Sequence, residues 1–169
     1  MIVRSEPNPI RRLFCITVLL ASATSGTAAS AAPTPTAATE AGGVLRLASS
    51  HSVDETVARI KTSVEAKGIR YFVAIDQQQL GASANLPIRK STLVLFGNPP
   101  LGMQFIQANP YAGLDWPVRM LVRETADGTT EIAYTDFAFI AQRYGISGKD
   151  AQLKMASEVA ATVASEAGN

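Results

Sequence analysis

The sequence predicts an α+β domain with about five strands, on three observations. The apolar run Thr92-Leu-Val-Leu-Phe96 stops abruptly at Gly97-Asn98-Pro99, as a buried strand does when it hands the backbone to a helix. Two alternating segments, Val118 to Arg123 and Thr130 to Tyr134, flank Asp127-Gly128, a hairpin turn signal. Elsewhere, apolar residues recur at helical spacing behind residues that cap helices. With 169 residues, 47% apolar and 17% charged, the chain has ordinary globular composition and enough length for one domain with a real core.

The N-terminus reads as an export signal. Arg4, Arg11 and Arg12 precede the apolar stretch Leu13 to Ala23, and a small-residue tract follows in which Ala29-Ser30-Ala31 fits a cleavage site. The apolar run of about a dozen residues is too short to cross a bilayer core of roughly 30 Å. Residues 1–31 are therefore expected to be a signal peptide, leaving no membrane span after cleavage and a periplasmic or secreted protein. A Sec-type signal is favoured, and Arg11-Arg12-Leu13-Phe14 leaves twin-arginine export open. Cys15, the single cysteine, would leave with the leader, so neither a disulfide nor a thiol site is expected. Losing three arginines and one glutamate takes the formal +1 to about −1, which argues against nucleic acid as a partner.

Residues 32–43 have the Pro, Thr and Ala composition of a flexible linker, and 44–169 form the expected domain. Val44 to Ala48 reads as the first strand. Ser52-Val-Asp-Glu55 spells a capping box, with Val53, Val57, Ile60 and Val64 on one helix face and Gly68 as the stop. Tyr71 to Ile75 is the second strand, and Asp76 to Lys90 reads as a long polar connection. After the third strand, Asn98 is placed to cap and Pro99 to occupy the first turn of a helix carrying Leu101, Phe105 and Ala108 inward. Strands four and five form the hairpin. Asp136 caps a helix with Phe137, Ile140, Ala141 and Tyr144 on one face and Gly145 at its end, and Ser147 is the expected cap of a last helix that buries Leu153, Ala156, Ala160 and Val163.

Strands two and three are apolar on both faces: Tyr71, Val73 and Ile75 against Phe72 and Ala74, and Leu93 and Leu95 against Val94 and Phe96. A sheet with one solvated face would alternate more cleanly. Either the last helix crosses to the second face or an identical subunit packs there as an isologous homodimer; the second is favoured.

Chemistry is sparse. His51, the only histidine, precedes a cap and reads as a solvated residue, and Met103, Met120 and Met155 read as core filler, so no metal site or cofactor is expected. Asn98 stands where a helix start can bind an anion, though capping explains it. Asp115, Tyr134 and Asp136 lie where strands meet loops and could converge with Asn98 on a small-molecule pocket; Asp136 is also a cap, and Asp115 has no evident structural role. Arg119 and Arg123 share one strand face and fit a cross-strand pair with Glu131. No catalytic residue is assigned.

Four ordered blocks carry a resemblance: residues 52–61 (Ser-Val-Asp-Glu-Thr-Val-Ala-Arg-Ile-Lys), Phe96-Gly-Asn-Pro99, Asn109-Pro-Tyr-Ala-Gly-Leu-Asp-Trp-Pro117 and Tyr134-Thr-Asp136. Together they resemble the DUF302 family. The resemblance implies a small two-layer α+β fold, often dimeric and sometimes exported or joined to other domains. With the strands and helices above, the expected architecture is a two-layer sandwich of about five strands in one largely antiparallel sheet with helices mainly on one face. It implies no established activity. The family pattern often has Asp-His after the second strand, where this chain has Asp76-Gln77. The expectation is thus an exported, non-enzymatic module that binds a small ligand or a protein. The alternatives are a cofactor-free enzyme with a site near Asn98, Asp115 and Tyr134, and, less favoured, a haem or metal binder.

Overall fold

The computed structural model of the chain describes residues 38–40 and 42–169. The expected leader, residues 1–31, lies outside them, as do residues 32–37 and 41 of the expected linker. Among the described residues, six strands form one antiparallel sheet: β1 (Ala38–Glu40), β2 (Val44–Ser49), β3 (Arg70–Asp76), β4 (Ser91–Gly97), β5 (Val118–Glu124) and β6 (Thr130–Thr135), in the order β1-β2-β6-β5-β4-β3. The five expected strands are all present. Within the segment read as linker, Ala38–Glu40 instead pairs with Val44–Arg46 as an edge strand. Gly42 and Gly43, both at positive φ, let the backbone turn back there.

Register sorts the side chains. Leu45 and Leu47 of β2, Tyr134 and Ile132 of β6, Met120 and Val122 of β5, and Val94 and Phe96 of β4 lie opposite one another on a single face. This face is the core, with Val94, Met120, Val122 and Ile132 fully buried. Three helices cover it: α1 (Val53–Ala66), α4 (Phe137–Tyr144) and α5 (Asp150–Gly168), where α5 packs on α1, α4 and β2. The last helix does not cross the sheet. The other face carries Leu93 and Leu95, Leu121 and Ala133 in register.

Strand β3 departs from the expected grouping of Tyr71, Val73 and Ile75 on one face. A bulge between Tyr71 and Val73 inserts Phe72 and shifts the alternation by one residue. Tyr71 stays opposite Phe96 on the covered side, whereas Val73 and Ile75 join Leu95 and Leu93 on the open one, 43% and 36% exposed.

The caps explain where helices start. Ser52 accepts from Glu55 N–H, Asn98 from Leu101 N–H at the head of α3 (Pro99–Ala108), and Asp136 from Ala138 N–H; Gly145 closes α4 in the left-handed conformation. Three expectations are corrected. The Asp76–Lys90 connection contains α2 (Gln77–Ser83), capped by Asp76, with none of its residues buried. The last helix begins at Asp150 behind Lys149, and no side chain caps it, Ser147 included. In α3 the buried residues are Phe105 and Gly102, and Ala108 is exposed. A short 3₁₀ turn, Pro110–Leu114, then leads to a cis Trp116–Pro117 bond before β5.

Candidate functional site

At the end of β4 the sheet, α3 and α5 leave a pocket of about 220 Å³. Its walls are apolar: Phe96 from β4, Leu101 and Phe105 from α3, Trp116, Phe137, and Met155 and Val159 from α5. Two glycines make the space that Trp116 occupies. A Cβ on Gly102 would lie 1.9 Å from the indole Nε1, and one on Gly97 would lie 3.1 Å from the same atom. Gly102 is therefore required by packing, and Gly97, which has no positive φ, is favoured by its close approach to the indole rather than by a turn. The bulged Phe72 meets Trp116 edge to face at 6.1 Å between ring centroids, and the Arg70 guanidinium lies over Phe72 at 5.3 Å.

Polar groups at this pocket are few. Asn98 contributes its amide and Lys67 its ammonium, and the Trp116 indole N–H donates to no acceptor among the described residues. Lys67 also joins α1 to α5. It donates to Ser63 Oγ at 3.3 Å and to the Glu166 carboxylate, while Ser63 donates its hydroxyl to Glu166 at 2.6 Å. Donation from Lys67, then from Ser63, holds the Glu166 carboxyl below the usual carboxylate range. The serine proton faces a carboxylate and the lysine acts as a donor. This is a cross-helix tie rather than a nucleophile and its base.

The start of α3 is not an anion site. Its first two residues, Pro99 and Pro100, have no N–H, and the third, Leu101, gives its N–H to Asn98. The groups that bind anions at other helix starts are missing or spent.

The structure does not bring the four sequence-derived site residues together. Asn98 caps α3 and lines the large pocket. Asp136 caps α4. Tyr134 is a core residue, 5% exposed, and burial followed by the nearby Asp136 charge raises its phenol pKa. Asp115 lines a separate cleft of about 10 Å³ with Arg119 and Thr135. Its side chain, 3% exposed, receives Arg119, Arg143 at 3.3 Å and the Tyr144 hydroxyl at 2.6 Å. That donation to Asp115 raises the Tyr144 pKa. Asn109 adds a bond from its amide to the Tyr144 carbonyl at 2.8 Å, so Asp115 and Asn109 both fasten the 3₁₀ turn to α4. The missing structural role of Asp115 is thereby supplied.

Of the two arginines on β5, Arg123 pairs with Glu131 at 2.9 Å as expected, and Arg119 turns to Asp115 instead. His51 is half-buried with its Nε2 enclosed and without a partner among the described residues, not solvated as its position before a cap suggested. Among the described residues, no three His, Cys, Asp or Glu side chains group as a metal would need.

Sequence reasoning missed Trp116, Gly102 and Lys67 as pocket residues. One signal was available: a glycine inside a helix costs about 1 kcal/mol relative to alanine and, when it persists, commonly marks a close approach.

Fold and pocket define the class: a small α+β domain with one antiparallel sheet, helices packed on one face, and a single-tryptophan pocket at the β4–α3 junction. Residues 45–164 match the family described as "Domain of unknown function DUF302", and the chain belongs to that family. In structure it is similar to the "uncharacterized conserved protein DUF302 from Bacillus stearothermophilus", with a TM-score of 0.68 and 15% identity over 75% of this chain and 99% of that one, a likeness of fold alone. In sequence it is similar to "Fluoride-specific ion channel FluC 1" of Brucella suis, 32% identical over 104 residues, 62% of this chain and 41% of that protein. "Fluoride-specific ion channel FluC 2" of Brucella melitensis matches at the same identity over 38% of its length. The chain thus spans about two fifths of the length of these curated relatives.

Proposed function

We propose that this protein is an exported, non-enzymatic domain that binds a small apolar molecule in the Trp116 pocket and acts as a homodimer. The observation that carries the binding reading is the pocket itself: about 220 Å³ of space walled by aromatic and aliphatic side chains, with a few polar groups at hand. Against catalysis stands the distribution of the polar residues. Asn98 and Asp136 hold helix starts, Asp115 is engaged by three donors, and Tyr134 sits in the core. Export rests on the leader pattern of residues 1–31.

The relatives fit a portable module. The 104 residues shared with proteins named as ion channels are under half of those proteins, and no described helix of this chain is long and apolar enough to cross a membrane. We take the shared part to stand beside a conducting part rather than to form it.

Because Trp116 is the only tryptophan, its emission reports on the pocket. Titrating protein purified from its native compartment with ethylbenzene is expected to change the emission saturably, and Val159→Phe, which puts a ring into the space, is expected to abolish the change. An unchanged emission, or an equal change in the variant, overturns the binding reading. The intact mass of the same sample shows whether residues 1–31 have been removed; a full-length chain overturns export.

The dimer reading rests on the open sheet face. Val73 and Ile75, exposed, and Leu93, Leu95 and Leu121, half-buried, make an apolar strip that no helix covers among the described residues, and Leu80, Leu86 and Ile88 in and after α2 are 58%, 70% and 48% exposed. A large exposed apolar area marks an interface. Light scattering is expected to give twice the mass of one chain, and Leu95→Glu, which would bury an unpaired charge, is expected to give monomers that remain folded. A monomeric wild type at high concentration overturns it.

A further inference from the structure

We infer that the Trp116 pocket selects single-ring or similarly compact apolar molecules that carry a hydrogen-bond acceptor oxygen, a carbonyl or a carboxylate, and discriminates against amines. This rests on the binding reading above and adds the chemical class of the ligand. Size comes first. A dry cavity of roughly 150 Å³ lined by Leu, Ile and Phe takes up benzene. At about 220 Å³, the space holds such a ring with a short substituent.

Polarity of the pocket's side chains then decides what the substituent can be. Every polar side chain that lines it offers a donor. The Trp116 Nε1–H has no acceptor among the described residues, and it lies against Gly97 and Gly102 in the pocket wall. Asn98 spends its Oδ1 on the Leu101 N–H, and its amide N–H groups have no acceptor among the described residues, which leaves them available to a ligand. Lys67 uses two of its three N–H groups on Ser63 and Glu166, leaving one. Among the described residues, no aspartate or glutamate lines the pocket.

An acceptor oxygen entering here meets donors and takes the place of their water. An ammonium meets a lysine and finds no carboxylate among the lining side chains, so it enters at the cost of its own hydration. The same geometry accounts for the two prolines that open α3: they remove backbone N–H groups that would otherwise turn this end of the pocket into a site for a fully charged inorganic anion. Recognition is left to side-chain donors around an apolar body.

The test compares ligands of one scaffold size on the full chain by calorimetry: ethylbenzene, acetophenone, benzoate and benzylamine. Acetophenone or benzoate is expected to bind about fivefold to tenfold more tightly than ethylbenzene, the effect of one or two net hydrogen bonds, and benzylamine at least tenfold more weakly than either. Benzoate alone favoured assigns the oxygen to a carboxylate, and acetophenone alone assigns it to a neutral carbonyl. Trp116→Phe keeps an aromatic ring and removes the donor, so it is expected to bring acetophenone to within about twofold of ethylbenzene without weakening ethylbenzene to the same degree. Equal binding of all four compounds overturns the ligand class and leaves the pocket reading intact. Binding of none overturns both. Should Trp116→Phe fold poorly, Lys67→Met provides the second variant: a wild-type preference for acceptors over benzylamine that Lys67→Met leaves unchanged, together with unaltered preference in Asn98→Asp, would remove the donors as its source.

Discussion

Phe96→Ala is expected to destabilise the protein by about 3–5 kcal/mol and to lower its melting temperature by roughly 10–20 °C. Phe96 is 1% exposed and sits where three things meet: the register of β4 opposite Tyr71 and Val118, the inner wall of the pocket, and the core beneath α1 and α5. Removing the ring takes away its transfer free energy and enlarges a space that is already about 220 Å³. The cost should fall near the lower end of the range, because part of the ring already borders the pocket and has fewer packing partners to lose. Thermal unfolding checks the size, and ligand rescue checks the cause. Saturating ethylbenzene should restore more stability to Phe96→Ala than to the wild type, since the enlarged cavity binds the ring better and binding to the native state alone stabilises it. A loss below about 1 kcal/mol would mean that this strand is not the centre of the core.

That strand was the most legible part of the sequence. Its four consecutive apolar residues, Leu93 to Phe96, the abrupt Gly-Asn-Pro and the hairpin at Asp127-Gly128 each carry local information, because strand burial, helix capping and tight turns are set within a few residues. The same locality explains the failures. Helix α2 reads Gln-Gln-Gln-Leu-Gly-Ala-Ser, which has no apolar period to see because none of its residues is buried. The bulge at Phe72 moves Val73 and Ile75 to the open face, and nothing in an unbroken apolar run announces a one-residue shift. Asp115 lacked a role because its partners Arg143 and Tyr144 lie 28 and 29 positions away. The pocket was hidden for a related reason. Its floor is defined by what Gly97 and Gly102 lack, and a missing side chain names no partner.

Gly102→Ala is the substitution that turns that absence into a measurable effect, with an expected cost of about 2–4 kcal/mol. In an exposed helix interior the same change would stabilise by up to about 1 kcal/mol, since alanine is the better helix former, so the predicted sign is reversed by packing. The added methyl would sit 1.9, 2.1 and 2.5 Å from three indole atoms of Trp116, far inside contact distance. Two outcomes are open to the molecule. The helix can shift, at the 1–3 kcal/mol typical of overpacking, or the indole can leave its place between α3 and Phe72, losing burial of the kind that costs 3–5 kcal/mol when a large aromatic is deleted. Emission separates them: a displaced Trp116 gains water contact and its spectrum moves to longer wavelength, whereas a shifted helix leaves it in an apolar setting. In either case the pocket loses the wall that shapes it, and ethylbenzene binding should fall at least tenfold. Double substitution with Trp116→Leu relieves the clash, so the two changes should be strongly non-additive, with the pair costing less than the sum of the singles by 1 kcal/mol or more. A stabilised Gly102→Ala protein with unchanged emission would show that the close approach of helix and indole is not a feature of the protein in solution.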